Sequence, residues 1–160
     1  MLNVKLICVG KMKEKFYIGA AEEYIKRLGA YCKLEIDELP ESKLPQDPND
    51  AQITAALQKE AQLIEAKIPK GAWVCAMCVE GDMLSSEQLA ERIGRLAVEG
   101  SGKLCFIIGG SVGLHDSIKA LADMKLSMSR MTFPHHLARV MLLEQIYRAF
   151  KINEGSRYHK

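Results

Sequence analysis

Short apolar runs alternate with helix-length segments along the whole chain, and that alternation restricts the architectures open to it. "VKLICV" (Val4 to Val9) reads as a strand, "FYIGAAEEYIKRL" (Phe16 to Leu28) as a helix and "CKLEIDEL" (Cys32 to Leu39) as a second, alternating strand. A loop carrying Pro40, Pro45 and Pro48 leads to a helix over Asp50 to Ile68, in which Ile53, Leu57, Ala61 and Ile64 recur at three- and four-residue steps. Pro69 and Gly71 stop it. "AWVCAMCV" supplies a third strand, "GDML" a turn, and the capping box Ser85-x-x-Gln88 opens a helix to about Val98. "KLCFII" is the fourth strand. Asp116 is placed to cap a short helix through Ala122, "KLSMS" makes a short fifth strand, and a last helix runs from about His135 to Ile152. The order βαβαβαβαβα predicts an α/β protein with a largely parallel sheet flanked by helices.

With 160 residues, 48% of them hydrophobic, the chain can bury one core, and residues 1–160 are read as a single domain. No internal repeat or linker divides it. No apolar stretch approaches the ~18 residues of a membrane helix, and "MLNVKLICVGKMKEKF" reads as a first strand, so a cytoplasmic protein without membrane partners is expected. Five cysteines without a secretion signal argue against a disulfide framework. Cys75 and Cys78 spell C-x-x-C, but residues three apart on a strand point to opposite faces, so these sulfurs would not share a metal. The net charge of +2 is unevenly placed: from Arg130 onward six Lys/Arg face Glu144 and Glu154, leaving that segment at +4 and the remainder at −2.

The fourth strand breaks into "IIGGSVGL", where ligands of open parallel sheets are held and where missing β-carbons let backbone approach a ligand. Gly109, Gly110 and Gly113 do not spell G-x-G-x-x-G, and no Gly-Lys-Ser/Thr follows, which excludes both standard phosphate loops. A tight turn with no ligand is the plain alternative. Downstream, "MSRMTFPHH" could wall a flat, partly apolar ligand, or pack its Met128, Met131 and Phe133 into an ordinary core.

"FIIGGSVGL", "LSMSRMTFPHHLARVMLLEQIYRAFKI" and the terminal "YHK" resemble the RlmH-type methyltransferases of the SPOUT superfamily, which methylate N3 of a pseudouridine in 23S ribosomal RNA. "VGKMKEK", "YIKRL" and "GDMLSSEQLA" extend the likeness over essentially the whole chain. The resemblance implies a C-terminal deep trefoil knot, a rare exception to unknotted chains, with the knot and cofactor site at about 72–160. It implies S-adenosylmethionine as methyl donor, a homodimer, and a substrate within the large subunit or the assembled ribosome. Carried over by motif, the cofactor cradle would be Met77, Gly109, Met128, Ser129, Arg130, Met131, Thr132 and Phe133. Met77 replaces another aliphatic residue common in the family, a substitution of similar volume.

Methyl transfer from a sulfonium needs alignment and no metal, but the N3 imide carries a proton near neutral pH that some group must accept. His135, Arg139, Tyr158 and His159 match the family pattern as catalytic candidates. Arg139 lies one helical turn after His135 and is read as stabilising developing negative charge or gripping a phosphate, with Tyr158 and His159 reaching over the pocket. The bland alternatives are that His135 caps its helix and that the tail is frayed; His136 is read as having no part in the chemistry, and His115 as a surface residue. Lys11, Lys13 and Lys15 could join the C-terminal basic group against phosphates, or form a solvated loop. A methyltransferase acting on another RNA such as tRNA, and a non-catalytic nucleotide-binding module, remain open at this stage.

Overall fold

β1 (Leu2–Val9) and β4 (Lys103–Ile108) are apolar on both sides because both faces of the sheet are covered, as parallel sheets require. In the computed structural model, which describes residues 1–159, they sit at the centre of one five-stranded sheet with β2 (Cys32–Leu39), β3 (Trp73–Met83) and β5 (Met124–Ser127). The strand order is β2-β1-β4-β3-β5 and every pairing is parallel. Lys160, the last of the basic C-terminal group, lies outside the described residues.

Strand alternation divides the core in two. Leu6, Cys8, Cys75, Phe106 and Ile108 point toward the side covered by α1 (Lys15–Leu28), α3 (Ser86–Glu99) and α5 (His135–Asn153). Ile7, Val9, Val74, Ala76 and Ile107 point toward α2 (Asp50–Lys67) and α4 (Asp116–Leu121), where Ile64 and Ile118 meet them. α5 contributes Leu142, Leu143, Ile146 and Ala149, all fully buried, and each of the first three contributes roughly 1.5–3 kcal/mol of transfer free energy. The starts of α2 and α3 are chemically marked: Asn49 with Gln52 and Ser85 with Gln88 form reciprocal capping boxes.

Three local expectations are corrected. "GDML" is not a simple turn: β3 continues to Met83, and its register against β5 jumps so that Met77 and Asp82 both pair with Leu126. The residues between are pushed out of the ladder, and Gly81 permits it, because a Cβ there would lie 2.7 Å from the Leu126 nitrogen. α4 is capped by His115, whose Nδ1 accepts from the Ser117 N–H at 3.1 Å, and Asp116 is the first helical residue. β5 spans Met124–Ser127, so Met128 and Ser129 belong to the loop beyond it.

The C-x-x-C cysteines diverge as strand geometry requires: Cys75 is buried in the α1/α3/α5 core, while Cys78 sits at the edge of a cleft. Burial pushes the Cys75 thiol up to about 12. Among the described residues no helix is long and apolar enough to cross a membrane.

Candidate functional site

β4 delivers the chain to Gly109 at the carboxyl edge of the sheet, and from there the backbone folds back on itself. Gly113 N donates to the Gly110 carbonyl at 3.1 Å, and Gly113 adopts φ +86°, a left-handed conformation that favours glycine. A Cβ on Gly109 would lie 2.3 Å from the Gly113 carbonyl oxygen, and one on Gly110 would lie 2.7 Å from Glu41 Oε1. Gly109 therefore needs glycine by close approach of backbone, whereas a side chain at Gly110 would displace the Glu41 carboxylate.

This turn forms one wall of a cleft of about 730 Å³ at the carboxyl ends of β3, β4 and β5, within the ~300–1,000 Å³ range of small-molecule sites. Met77, the last paired residue before the break in β3, and the displaced Cys78 and Val79 form a second wall. The third is the loop after β5, held in shape by Ser127 Oγ donating to the Ser129 carbonyl (2.9 Å) and Met131 N donating to Ser129 Oγ (3.0 Å). Of the cradle residues expected from sequence, Met77, Gly109, Met128, Ser129, Met131, Thr132 and Phe133 line the cleft. Arg130 is exposed and does not. Ile108, Leu126, Pro134 and Ala138, which motif reasoning missed, complete the apolar lining.

Among the described lining residues only His135 and the Cys78 thiol are ionisable. Pro134 is the N-cap of α5 and makes no side-chain cap bond, so His135 begins the helix rather than capping it. Burial, reinforced by His136 and Arg139, lowers the His135 pKa below its ordinary value, against an opposing pull from Glu41 and Glu14. Its neutral form is favoured at pH 7, the form that can accept a proton.

Arg139 is turned away from the cleft and buried. Its Nη1 donates to Glu38 Oε2 at 2.6 Å and its Nη2 to the Gly10 carbonyl at 2.9 Å. Gly10 has φ +98°, which places that carbonyl where the guanidinium reaches it. Beside it, His136 Nδ1 lies 3.4 Å from Glu14 Oε2, and the ring is half-buried.

Tyr158 and His159 lie elsewhere. The Tyr158 ring meets Tyr147 edge-on at 5.0 Å and carries the Arg148 guanidinium 4.8 Å above it. His159 Nε2 is 2.6 Å from Glu87 Oε1, and its Nδ1 is 3.1 Å from Arg148 Nη1. The described tail is thus latched onto α3 and α5 rather than frayed. Arg148 follows His135 by thirteen residues, roughly 20 Å along the helix axis, so the catalytic candidates fall into two separate groups within one chain. Lys11 and Lys13 are exposed on the segment that joins Gly10 to α1, and Lys15 is exposed at the first position of that helix.

Comparison with known proteins gives this geometry its context. Residues 2–159 match the family model described as "Predicted SPOUT methyltransferase". Proteins named "Ribosomal RNA large subunit methyltransferase H" from Clostridioides difficile and Clostridium novyi are each 48% identical over 159 residues. One of the same name from Bacillus pumilus is 47% identical; each alignment covers 99% of this chain and 100% of the relative. Among solved structures, a probable methylase family protein from Haemophilus influenzae has a TM-score of 0.55 at 15% identity, covering 100% of this chain and 72% of that one. A tRNA (m1G37) methyltransferase from Aquifex aeolicus has 0.51 at 13%, covering 91% and 69%; these two likenesses concern the fold.

Proposed function

The chain belongs to the SPOUT methyltransferase family, and from that premise we propose that it is an S-adenosylmethionine-dependent methyltransferase of large-subunit ribosomal RNA. The observation that carries this reading is the 47–48% identity, end to end, with relatives named for that activity. The cleft fits the methyl donor: the turn from Gly109 to Gly113 presents backbone polar groups, the Met128 to Phe133 loop and Met77 offer apolar walls, and Ser129 and Thr132 offer hydroxyls. When bound there, S-adenosylmethionine supplies an electrophilic methyl group.

The finer reading is that the methyl acceptor is N3 of a pseudouridine in 23S rRNA. His135, kept neutral by burial and set in the cleft wall, takes the imide proton as the nitrogen attacks. Arg139, held by Glu38 one turn behind, lends its positive charge to the developing anion from inside its ion pair. Tyr158 and His159 serve the cleft of a second copy in a homodimer, because their own cleft lies beyond their reach. Lys11, Lys13 and Lys15 meet phosphates together with the exposed Arg130 and Arg157 of the C-terminal basic group, the buried Arg139 being committed to Glu38, and a chain with no separate RNA-binding domain reads its target largely by shape, in the large subunit or assembled ribosome. The protein works in the cytoplasm as one domain, and its C-terminal segment forms the trefoil knot of its family.

The test is labelled S-adenosylmethionine with large subunits, assembled ribosomes, naked 23S rRNA and tRNA. Methyl transfer to pseudouridine N3 in the particles is expected. Preferred transfer to tRNA, or no binding of the donor, would overturn the reading, and equal labelling of naked rRNA would remove its requirement for an assembled particle.

A further inference from the structure

We propose that Glu41, in the proline-rich loop after β2, is a positioning residue for the cleft: one carboxylate oxygen clamps the glycine turn and the other faces His135. Seventy residues apart in sequence, Glu41 Oε1 accepts from the Ser111 backbone N–H at 2.9 Å and from Ser111 Oγ at 2.7 Å. The bare α-carbon of Gly110 makes room for this, since a Cβ there would meet the same oxygen at 2.7 Å. The other oxygen is turned toward Gly10. The position a Cβ would take on Gly10 lies 3.3 Å from Glu41 Oε2, 3.4 Å from His135 Nε2 and 3.8 Å from His136 Nε2. Three polar groups thus surround one glycine, and His136 Nε2 is buried without a partner among the described residues.

Glu41 is not an ordinary surface acid, because its neighbour is fixed from below. Ser42 N donates to Oε2 of the buried Glu60 in α2 at 2.8 Å, and Ser42 Oγ to the Ala56 carbonyl at 3.3 Å. A connected path therefore runs from α2 through Ser42 and Glu41 to the glycine turn. Burial would raise the Glu41 pKa, but the two Ser111 bonds, helped by His135 and His136, bring it below the usual carboxylate value. Glu41 is accordingly ionised near neutral pH. The charged and titratable groups acting on His135 are Glu41, Glu14, His136 and Arg139; the first two favour its protonation and the last two oppose it.

The two roles separate under substitution. Glu41→Gln keeps an oxygen for Ser111 and removes the charge, whereas Glu41→Ala removes both. In calorimetric titration with S-adenosylmethionine, Glu41→Ala should weaken binding by about tenfold or more, the scale of losing hydrogen bonds to a charged acceptor, while Glu41→Gln stays within about threefold of the parent. In histidine NMR without cofactor, with the resonance assigned by its loss in His135→Gln, both variants should lower the His135 titration midpoint. An unchanged affinity in Glu41→Ala, no rescue by Glu41→Gln, or an unmoved midpoint would each overturn the proposal. The first arm rests on the reading of the cleft as the cofactor site. If the parent protein fails to bind S-adenosylmethionine, that reading falls, and the midpoint still decides whether Glu41 acts on His135.

Discussion

Arg139 and Glu38 form an ion pair across 101 residues of sequence, with Nη1 and Oε2 2.6 Å apart. It ties α5 to the end of β2, and through the Gly10 carbonyl to the segment after β1. Removing the guanidinium leaves a carboxylate that is about a third exposed with only the Met12 N–H as a described partner. Arg139→Ala should therefore cost about 2–3 kcal/mol of stability, read from urea unfolding, and Arg139→Lys should recover only part of it because one ammonium cannot span both acceptors. Burial pushes the Glu38 pKa up, but the Met12 N–H and Arg139 outweigh it, and the group titrates below the usual carboxylate range. The contribution is thus full above the unfolded-state pKa and lost as pH falls through the folded one. In Arg139→Ala, acid unfolding should begin at higher pH than in the parent; coincident acid transitions would show that the pair is screened by solvent.

His135 gives a second pH signature with the opposite origin. A histidine whose folded pKa is depressed must be neutral to act as a base, so the acid limb of the rate profile should lie below the ordinary 6.5 of a free imidazole. His135→Gln should reduce methyl transfer by roughly 10²–10⁴-fold, the range for losing a general base, with donor affinity little changed. A rate loss confined to KM would reassign His135 to substrate binding.

Two glycines in this chain should respond to alanine in opposite directions. Gly109→Ala drives a Cβ to within 2.3 Å of backbone that cannot yield, and should cost about 2 kcal/mol or more while abolishing donor binding. Gly19 lies exposed within α1 with nothing near its missing Cβ, and Gly19→Ala should stabilise by about 0.5–1 kcal/mol through helix propensity. Thermal denaturation of the two variants side by side checks both signs.

Separation of the catalytic candidates along α5 makes the proposed homodimer testable without a structure of it. Chains carrying His135→Gln should be inactive, as should chains carrying Tyr158→Phe with His159→Ala. Mixed dimers of the two should regain activity, since one composite site then holds no substitution. Absence of complementation in dimers verified by differential tagging would place both groups in separate functions.

Much of this could be read before the fold was known, for identifiable reasons. Continuous apolar runs such as "KLCFII" declare a strand covered on both faces, and the glycines after it declare a turn, in which Gly109 packs against the Gly113 backbone. The loop from Met128 to Phe133 was legible only as a motif, since its Ser127 and Ser129 hydrogen bonds leave no periodic trace. Glu38 and Glu41 were invisible because their partners are remote in sequence and a charge in a loop ordinarily means solvent. Gly10 carried the one available hint, a glycine at the end of an apolar strand, which marks a backbone turn that side chains resist. The displacement of Cys78 through Gly81 from the ladder needed the packing of β5 to reveal it.

The scarcity of charge on the cleft wall sets how the protein should respond to its medium. A ligand held by glycine backbone, hydroxyls and apolar surface gains little from long-range fields, so its affinity should barely move with ionic strength. A polyanion held by exposed lysines releases counterions on binding, and its affinity falls as a power of the salt concentration whose exponent is close to the number of phosphates neutralised. The two ligands therefore answer to different variables. Rising salt should strip the nucleic acid first and leave the small molecule seated, so the order of release is set by the medium.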